Sequence, residues 1–325
     1  MRVGAFRLAF LLALAVVPGP ECRAGGWRGG VGVLGDSYSD EYQFYPPHRT
    51  QARNWVEILA ETRGLDFGSF SRADRGAPRH GGYAFNWARS GATTADALAQ
   101  GQHTGLAAQV ARGEVGLVWV FLGGNDFIEA LRSPDPEANL PRAADQAIAN
   151  LDRILATLRA ADSSMPILLA TVPDVLELPE FAGPLRQGSL PRPHAAAATA
   201  ALLRYNEHIR SWPRRDARVF VVDLFLSQQV SRIMAPESLK LGGIRISREV
   251  AGDAYDHLFL ADGRHAGTVA QALIARLFVA TVNARLDAGI RPLSDREILE
   301  YAARVPSTPG SLAGGPELLG ATPAP

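Results

Sequence analysis

Apolar residues gather in four short runs, at 31–34, 117–122, 167–172 and 219–225, each opened by Gly, Pro or Arg. Runs of this length without polar alternation read as strands buried on both faces, and a weaker one at 67–70 makes five. Between them, apolar positions recur every three or four residues, which predicts helices over 55–62, 95–112, 143–161 and 195–212. A fifth helix, 268–286, follows the last strand. Strands that alternate with helices imply a parallel sheet covered on both sides, hence an α/β fold built as a three-layer αβα sandwich. Segments 43–53 and 71–82 are polar and rich in Pro and Gly and read as surface loops, and 236–256 lacks a clear period and reads as an excursion before the last long helix.

The two ends follow other rules. Arg2 and Arg7 precede an apolar run of ten residues at 8–17, then Pro18, Gly19 and Pro20 break it, and Cys22-Arg23-Ala24 supplies small residues where a signal peptidase cuts. The run is too short to span a bilayer core of about 30 Å, so residues 1–24 are expected to be a cleaved export signal and the mature chain to carry no transmembrane anchor. Residues 25–304 then form one domain, and 305–325, dominated by Pro, Gly, Ala, Ser and Leu, reads as a mobile tail. The predicted location is periplasmic or extracellular.

Composition narrows the chemistry. The 325 residues hold 33 basic and 33 acidic side chains, so the basic excess of a nucleic-acid binder is missing and no nucleic-acid partner is expected. The single cysteine, Cys22, lies within the signal, which excludes an internal disulfide and leaves the mature chain without a thiol nucleophile. No spacing of His, Asp or Glu suits a metal, and no cofactor is expected.

Four polar blocks punctuate the pattern. Strand 31–34 runs into Gly35-Asp36-Ser37, where a tight turn lifts a serine hydroxyl clear of the backbone. Asn86 to Thr94 contains Gly91 just before a helix, and a glycine there lets a backbone N–H approach a ligand oxygen. Gly123-Gly124-Asn125-Asp126 follows the most apolar strand, and an Asn amide is an uncharged donor suited to an oxyanion. Asp262-Gly263-Arg264-His265 places a carboxylate three residues before an imidazole, close enough to fix its tautomer and leave Nε2 free to accept a proton. Taken singly, each block also fits a turn or a helix cap. Taken together they supply a nucleophile, a base, an orienting acid and oxyanion donors.

In these blocks the chain resembles the GDSL, or SGNH, hydrolases, a family of serine esterases, lipases and acylhydrolases. The resemblance implies Ser37 as nucleophile, His265 as base supported by Asp262, and an oxyanion hole made by the backbone N–H groups of Ser37 and Gly91 with the Asn125 side chain. It also implies a flavodoxin-like five-stranded parallel sheet of order 2-1-3-4-5, which would bring Ser37 and Asn125 to neighbouring strand ends at the switch point. Tyr38 stands where the motif has Leu and is expected to matter little, and the long stretch between Asp40 and Gly91 leaves the second strand hard to place. The expected substrate is a small-molecule, lipid or polysaccharide ester. Passing the acyl group to a sugar hydroxyl is the alternative outcome of the same site, and a non-catalytic binding module on this fold is a more distant one. His257, beside Asp256, competes with His265 as base, while His48, His80, His103, His194 and His208 read as surface or packing residues. Tyr42, Phe44, Tyr45 and Trp55 fit either a substrate wall or the core.

Overall fold

The computed structural model describes residues 26–76 and 81–305. The expected signal, 1–24, the tail beyond Val305 and His80 lie outside the described residues. Strand β1 (Gly30–Gly35) is followed by two single-turn 3-10 helices, α1 (Trp55–Arg63), and the two-residue strands β2 (Phe70–Ser71) and β3 (Gly82–Tyr83). Next come α2 (Thr94–Ala99), α3 (Gln102–Ala111), β4 (Val115–Phe121), α4 (Gly124–Arg132), α5 (Pro136–Ala161), β5 (Ile167–Ala170), α6 (Pro179–Gln187) and α7 (Arg192–Arg215). The chain closes with β6 (Val219–Val222), α8 (Leu224–Met234), the hairpin β7 (Ser238–Leu241) and β8 (Ile244–Ser247), α9 (Thr268–Leu286) and α10 (Asp295–Arg304).

The central sheet is parallel, in the order β1-β4-β5-β6. The fifth position, beside β1, is taken by residues 85–89 and not by the 67–70 run. Val33 N donates to Phe85 O (3.0 Å), Trp87 N to Val33 O (2.8 Å) and Arg89 N to Gly35 O (3.0 Å), a parallel track that forms only an isolated bridge. The 67–70 run cannot continue as a strand because Gly68 adopts φ 83°, with its N–H turned onto Asp66 Oδ1 (2.7 Å). The family order is therefore kept with four regular strands and an irregular edge.

Alternate residues of the sheet serve two separate cores, as a doubly covered sheet requires. Val118, Val120, Ile167 and Leu169 pack with residues of α3, α4, α5 and α7. Leu117, Trp119, Phe121 and Leu168 point the other way, toward α1, α9 and α10. On that side Trp55, Trp119 and Phe278 form an aromatic stack with ring centroids 4.7–5.6 Å apart, all fully buried. By length and composition α9 could cross a membrane, yet Val269, Ala272, Phe278 and Val282 are buried in this core, as in a core helix. The helix expected over 95–112 is split by Gly101, whose φ of 71° ends α2 and starts α3. The 236–256 excursion contains a hairpin whose two-residue turn, Gly242–Gly243, has positive φ at both positions (52° and 89°), the geometry of the tightest hairpin connections.

Candidate active site

The four sequence blocks lie at or beyond the carboxyl end of the sheet. Gly35 ends β1 where no side chain fits, since a Cβ there would lie 2.8 Å from Phe121 O. The chain then turns sharply, with Ser39 N and Asp40 N both donating to Asp36 O at 3.0 Å, and Tyr38 N donating to Asp36 Oδ1 at 3.0 Å. Ser37 sits at the crest of this turn, beside the end of β4 and the start of α4. β1 and β4 are adjacent although β2 and β3 intervene in sequence, so this is the switch point of the sheet.

Asn125, in the first turn of α4, donates through Nδ2 to Ala92 O (3.0 Å), which leaves its second amide hydrogen uncommitted. Asp126 accepts from Thr94 N (2.9 Å) and Thr94 Oγ1 (2.6 Å), and Asn150 Nδ2 donates to the same hydroxyl (3.1 Å). These bonds lock the start of α4 to the loop that carries Gly91. Gly91 itself has φ 81°, a conformation that favours glycine, and a Cβ built there would meet open space. Behind it, Ser90 N donates to Asp40 Oδ2 (2.7 Å), and Tyr45 hydrogen-bonds the same carboxylate. Among the described residues neither Ser37 N–H nor Gly91 N–H donates to a protein acceptor; Ser37 is buried, where backbone donors are nearly always paired, and Gly91 is exposed.

Asp262 and His265 are paired. Asp262 Oδ2 lies 2.6 Å from His265 Nδ1, while its Oδ1 accepts from the backbone N–H of Arg264 and of His265, both at 2.9 Å. Partial burial pushes the Asp262 carboxyl up, but the His265 ring and these two N–H groups outweigh it and hold the carboxyl well below its ordinary range. A carboxylate so anchored holds the imidazole with Nδ1 as donor and Nε2 free. His257 takes a different neighbour: its Nδ1 is 3.0 Å from Asp256 Oδ1 and not aligned for a hydrogen bond. His48, His194 and His208 face Asp253, Glu137 and Asp152, and His103 contacts Ala97 O.

Two carboxyls near Ser37 are protonated more readily than usual. Burial pushes Asp36 up to about 7, opposed by the Tyr38 N–H and reinforced by the charges of Asp126 and Asp40. Burial likewise raises Asp126 to about 6, against the Thr94 hydrogen bonds.

Ser37 and Asn125 line one cleft, open to solvent. Its apolar wall comes from Ile128, Val172, Pro173, Val175 and Leu178, and Asp174 and Arg264 supply polar edges. Arg264 is fixed by a bidentate pair with Glu180 (2.8 and 2.9 Å). None of these wall residues stands out in the sequence, although Val172 and Pro173 directly follow a strand run and Arg264 lies inside the Asp262–His265 block. Tyr42 and Trp55 are buried in the core, Phe44 stacks on Phe70, and Tyr45 holds Asp40, so the aromatic group does not wall the cleft. Tyr38, expected to matter little, does line it. Ser37 Oγ and His265 share no hydrogen bond; the two are linked through Tyr38, whose ring centroid lies 6.4 Å from that of His265.

Residues 33–241 match the model of the GDSL-like Lipase/Acylhydrolase family. The chain belongs to that family. The match takes in Ser37, Gly91 and Asn125 and stops short of the Asp262–His265 pair. As a GDSL-like member with this fold, the protein is a hydrolase acting on ester bonds. No curated protein matches the chain. Among solved structures it is similar to a lipase from a goat rumen metagenome, at 14% identity and TM-score 0.49, covering 80% of this chain and 100% of that one. A family 3 carbohydrate esterase from Talaromyces cellulolyticus shows 16% identity and TM-score 0.46 over 80% and 99% of the two chains. An extracellular lipase from Streptomyces rimosus shows 18% identity and TM-score 0.43 over 78% and 100%. The family assignment rests on the match over 33–241, not on these likenesses.

Proposed function

We propose that the GDSL-like hydrolase cleaves carboxylic esters through an acyl-enzyme on Ser37. His265 Nε2 takes the Ser37 proton as Oγ attacks the acyl carbonyl, and Asp262 holds the imidazolium that forms. The negative oxygen is received by the N–H groups of Ser37 and Gly91 and by the second amide hydrogen of Asn125. His265 then gives its proton to the departing alcohol, and water, activated by the same imidazole, releases the acid. The observation that carries this reading is the convergence of Ser37 and Asn125 in one cleft at the switch point, with the Ser37 backbone N–H unpaired there. The Ser37–His265 hydrogen bond forms as substrate enters, since catalytic hydrogen bonds often tighten only in the Michaelis complex.

The cleft wall supports a reading of the substrate. Ile128, Val172, Val175 and Leu178 give the acyl group an apolar seat, and Arg264 and Asp174 leave a polar edge for the alcohol. The enzyme is proposed to be exported, with residues 1–24 removed, and to meet its ester outside the cytoplasm. Hydrolysis of p-nitrophenyl esters from acetate to palmitate, beside an acetylated polysaccharide and with Ser37→Ala as the blank, tests the reaction and ranks the acyl chains. Wild-type activity in Ser37→Ala would remove the acyl-enzyme from consideration. Sequencing the secreted protein tests export, and an N-terminus at Met1 contradicts it.

A further inference from the structure

The segment that turns at Ser37 carries two tyrosines four residues apart, and both reach the loop of His265. Tyr38 Oη donates to Arg264 O (2.9 Å), and Tyr42 Oη donates to Ala266 O (3.1 Å). Between these carbonyls, His265 O accepts from Leu260 N (2.8 Å), and His265 N donates to Asp262 Oδ1 (2.9 Å). Three successive carbonyls, at 264, 265 and 266, are thus held, the outer two by hydroxyls of the nucleophile segment. The rings bracket the imidazole as well, with centroids 6.4 Å away for Tyr38, tilted 40°, and 6.3 Å away for Tyr42, edge-on at 84°.

Both tyrosines are themselves fixed. Tyr38 packs edge-on against Phe121 at the end of β4 (5.9 Å), and Tyr42 is fully buried, accepting from Gln271 Nε2 (2.8 Å) and donating its own N–H to Glu57 Oε2 (3.2 Å). Burial pushes both phenols above their ordinary value, so each keeps the proton it donates throughout the working pH range.

We propose that Tyr38 and Tyr42 are positioning residues that clamp the peptide groups on either side of His265 and so set the distance between the Ser37 hydroxyl and the imidazole. The inference rests on the reading of Ser37 and His265 as nucleophile and base. Ser37 and His265 come from opposite ends of the domain, and these two hydroxyls hydrogen-bond residues 37–45 to residues 257–267. Small errors in that distance are expensive, because a misplacement of about 1 Å lowers an oriented reaction by up to about a hundredfold.

Tyr38→Phe and Tyr42→Phe remove one hydroxyl each and keep the rings. Each is made in the wild-type and in the His265→Ala background, with kcat and KM read on a p-nitrophenyl ester. In the wild-type background Tyr38→Phe lowers kcat about tenfold with KM within about twofold. In the His265→Ala background the same change alters the residual rate by less than about twofold, because a residue acting through His265 has nothing left to position. An unchanged kcat in Tyr38→Phe, or the same loss in both backgrounds, overturns the clamp. A wild-type rate in His265→Ala overturns the reading beneath it, and the clamp with it. Tyr42→Phe also strips Gln271 of an acceptor; if that variant does not fold, Tyr38→Phe, on a part-exposed side chain, decides the question alone.

Discussion

Replacing Asn125 by Ala probes the oxyanion hole and the lock behind it at once. One Nδ2 hydrogen is spent on Ala92 O at 3.0 Å, and the other is the donor assigned to the tetrahedral intermediate. Loss of a single oxyanion donor lowers kcat by about 10²–10³, or about 2.7–4 kcal/mol, because the bond is strongest in the transition state. KM should change little, as the donor does less for the ground state. The truncation also leaves Ala92 O without its partner, which costs about 1–3 kcal/mol of folding stability and should lower Tm. Asn125→Asp keeps the shape but carries both losses, because it places an acceptor against both Ala92 O and the oxyanion. That variant should be at least as inactive as the alanine. The assay is steady-state hydrolysis of p-nitrophenyl butyrate with Tm measured in parallel. A kcat within about threefold of wild type in both folded variants would refute the oxyanion assignment.

Asp262→Asn keeps the size of the side chain but lets the imidazole flip its tautomer, so kcat should fall at least about tenfold; unchanged turnover would mean that another group orients His265. Burial raises Asp36 and Glu57 to about 7, Glu41 to about 8 and Asp126 to about 6. The folded chain keeps protons on these groups that the unfolded chain releases near pH 4, so stability falls as pH rises from about 4 through 8. Asp262, held low, works in the opposite sense only below about pH 4. Tm should therefore be higher at pH 5.5 than at pH 8.5, and a flat or rising profile would contradict the burial of these carboxyls. Val175→Phe narrows the apolar wall and should shift the ratio of acetate to octanoate turnover toward acetate by about tenfold or more; an unaltered chain-length profile would place the acyl group elsewhere.

The strands were legible because they are buried on both faces and therefore continuously apolar, as 117–122 shows. The last of them was read too long. Asp223, inside the 219–225 run, accepts from Leu226 N and caps α8, so the polar residue that marked the boundary had been absorbed into the strand. The first two turns of α5 were missed although Asp135 caps that helix with Pro136 directly after it, a usual helix opening. The hairpin of β7 and β8 carried its signal in Gly242–Gly243, between Leu239, Leu241 and Ile246, which alternate inward.

The blocks around Ser37, Gly91, Asn125, Asp262 and His265 were legible because each is a short stretch of sequence whose turn, cap or Asp–His pair closes within a few residues. The cleft wall was not, because Ile128, Val172, Val175 and Leu178 meet only through the packing of α4 against the loop after β5. The place of Tyr38 in the cleft was hidden for a related reason. Its partner, Arg264 O, is 226 residues away, and no local spacing carries a contact of that range.

The central claim is that Ser37 is the nucleophile, and trapping it is the most direct test. The folded protein is treated with a fluorophosphonate, its intact mass is measured, and the adduct is mapped by peptide sequencing. The account predicts one adduct, on Ser37, formed in step with the loss of ester hydrolysis and absent from Ser37→Ala. An adduct on another residue, or full labelling of Ser37→Ala, would contradict it.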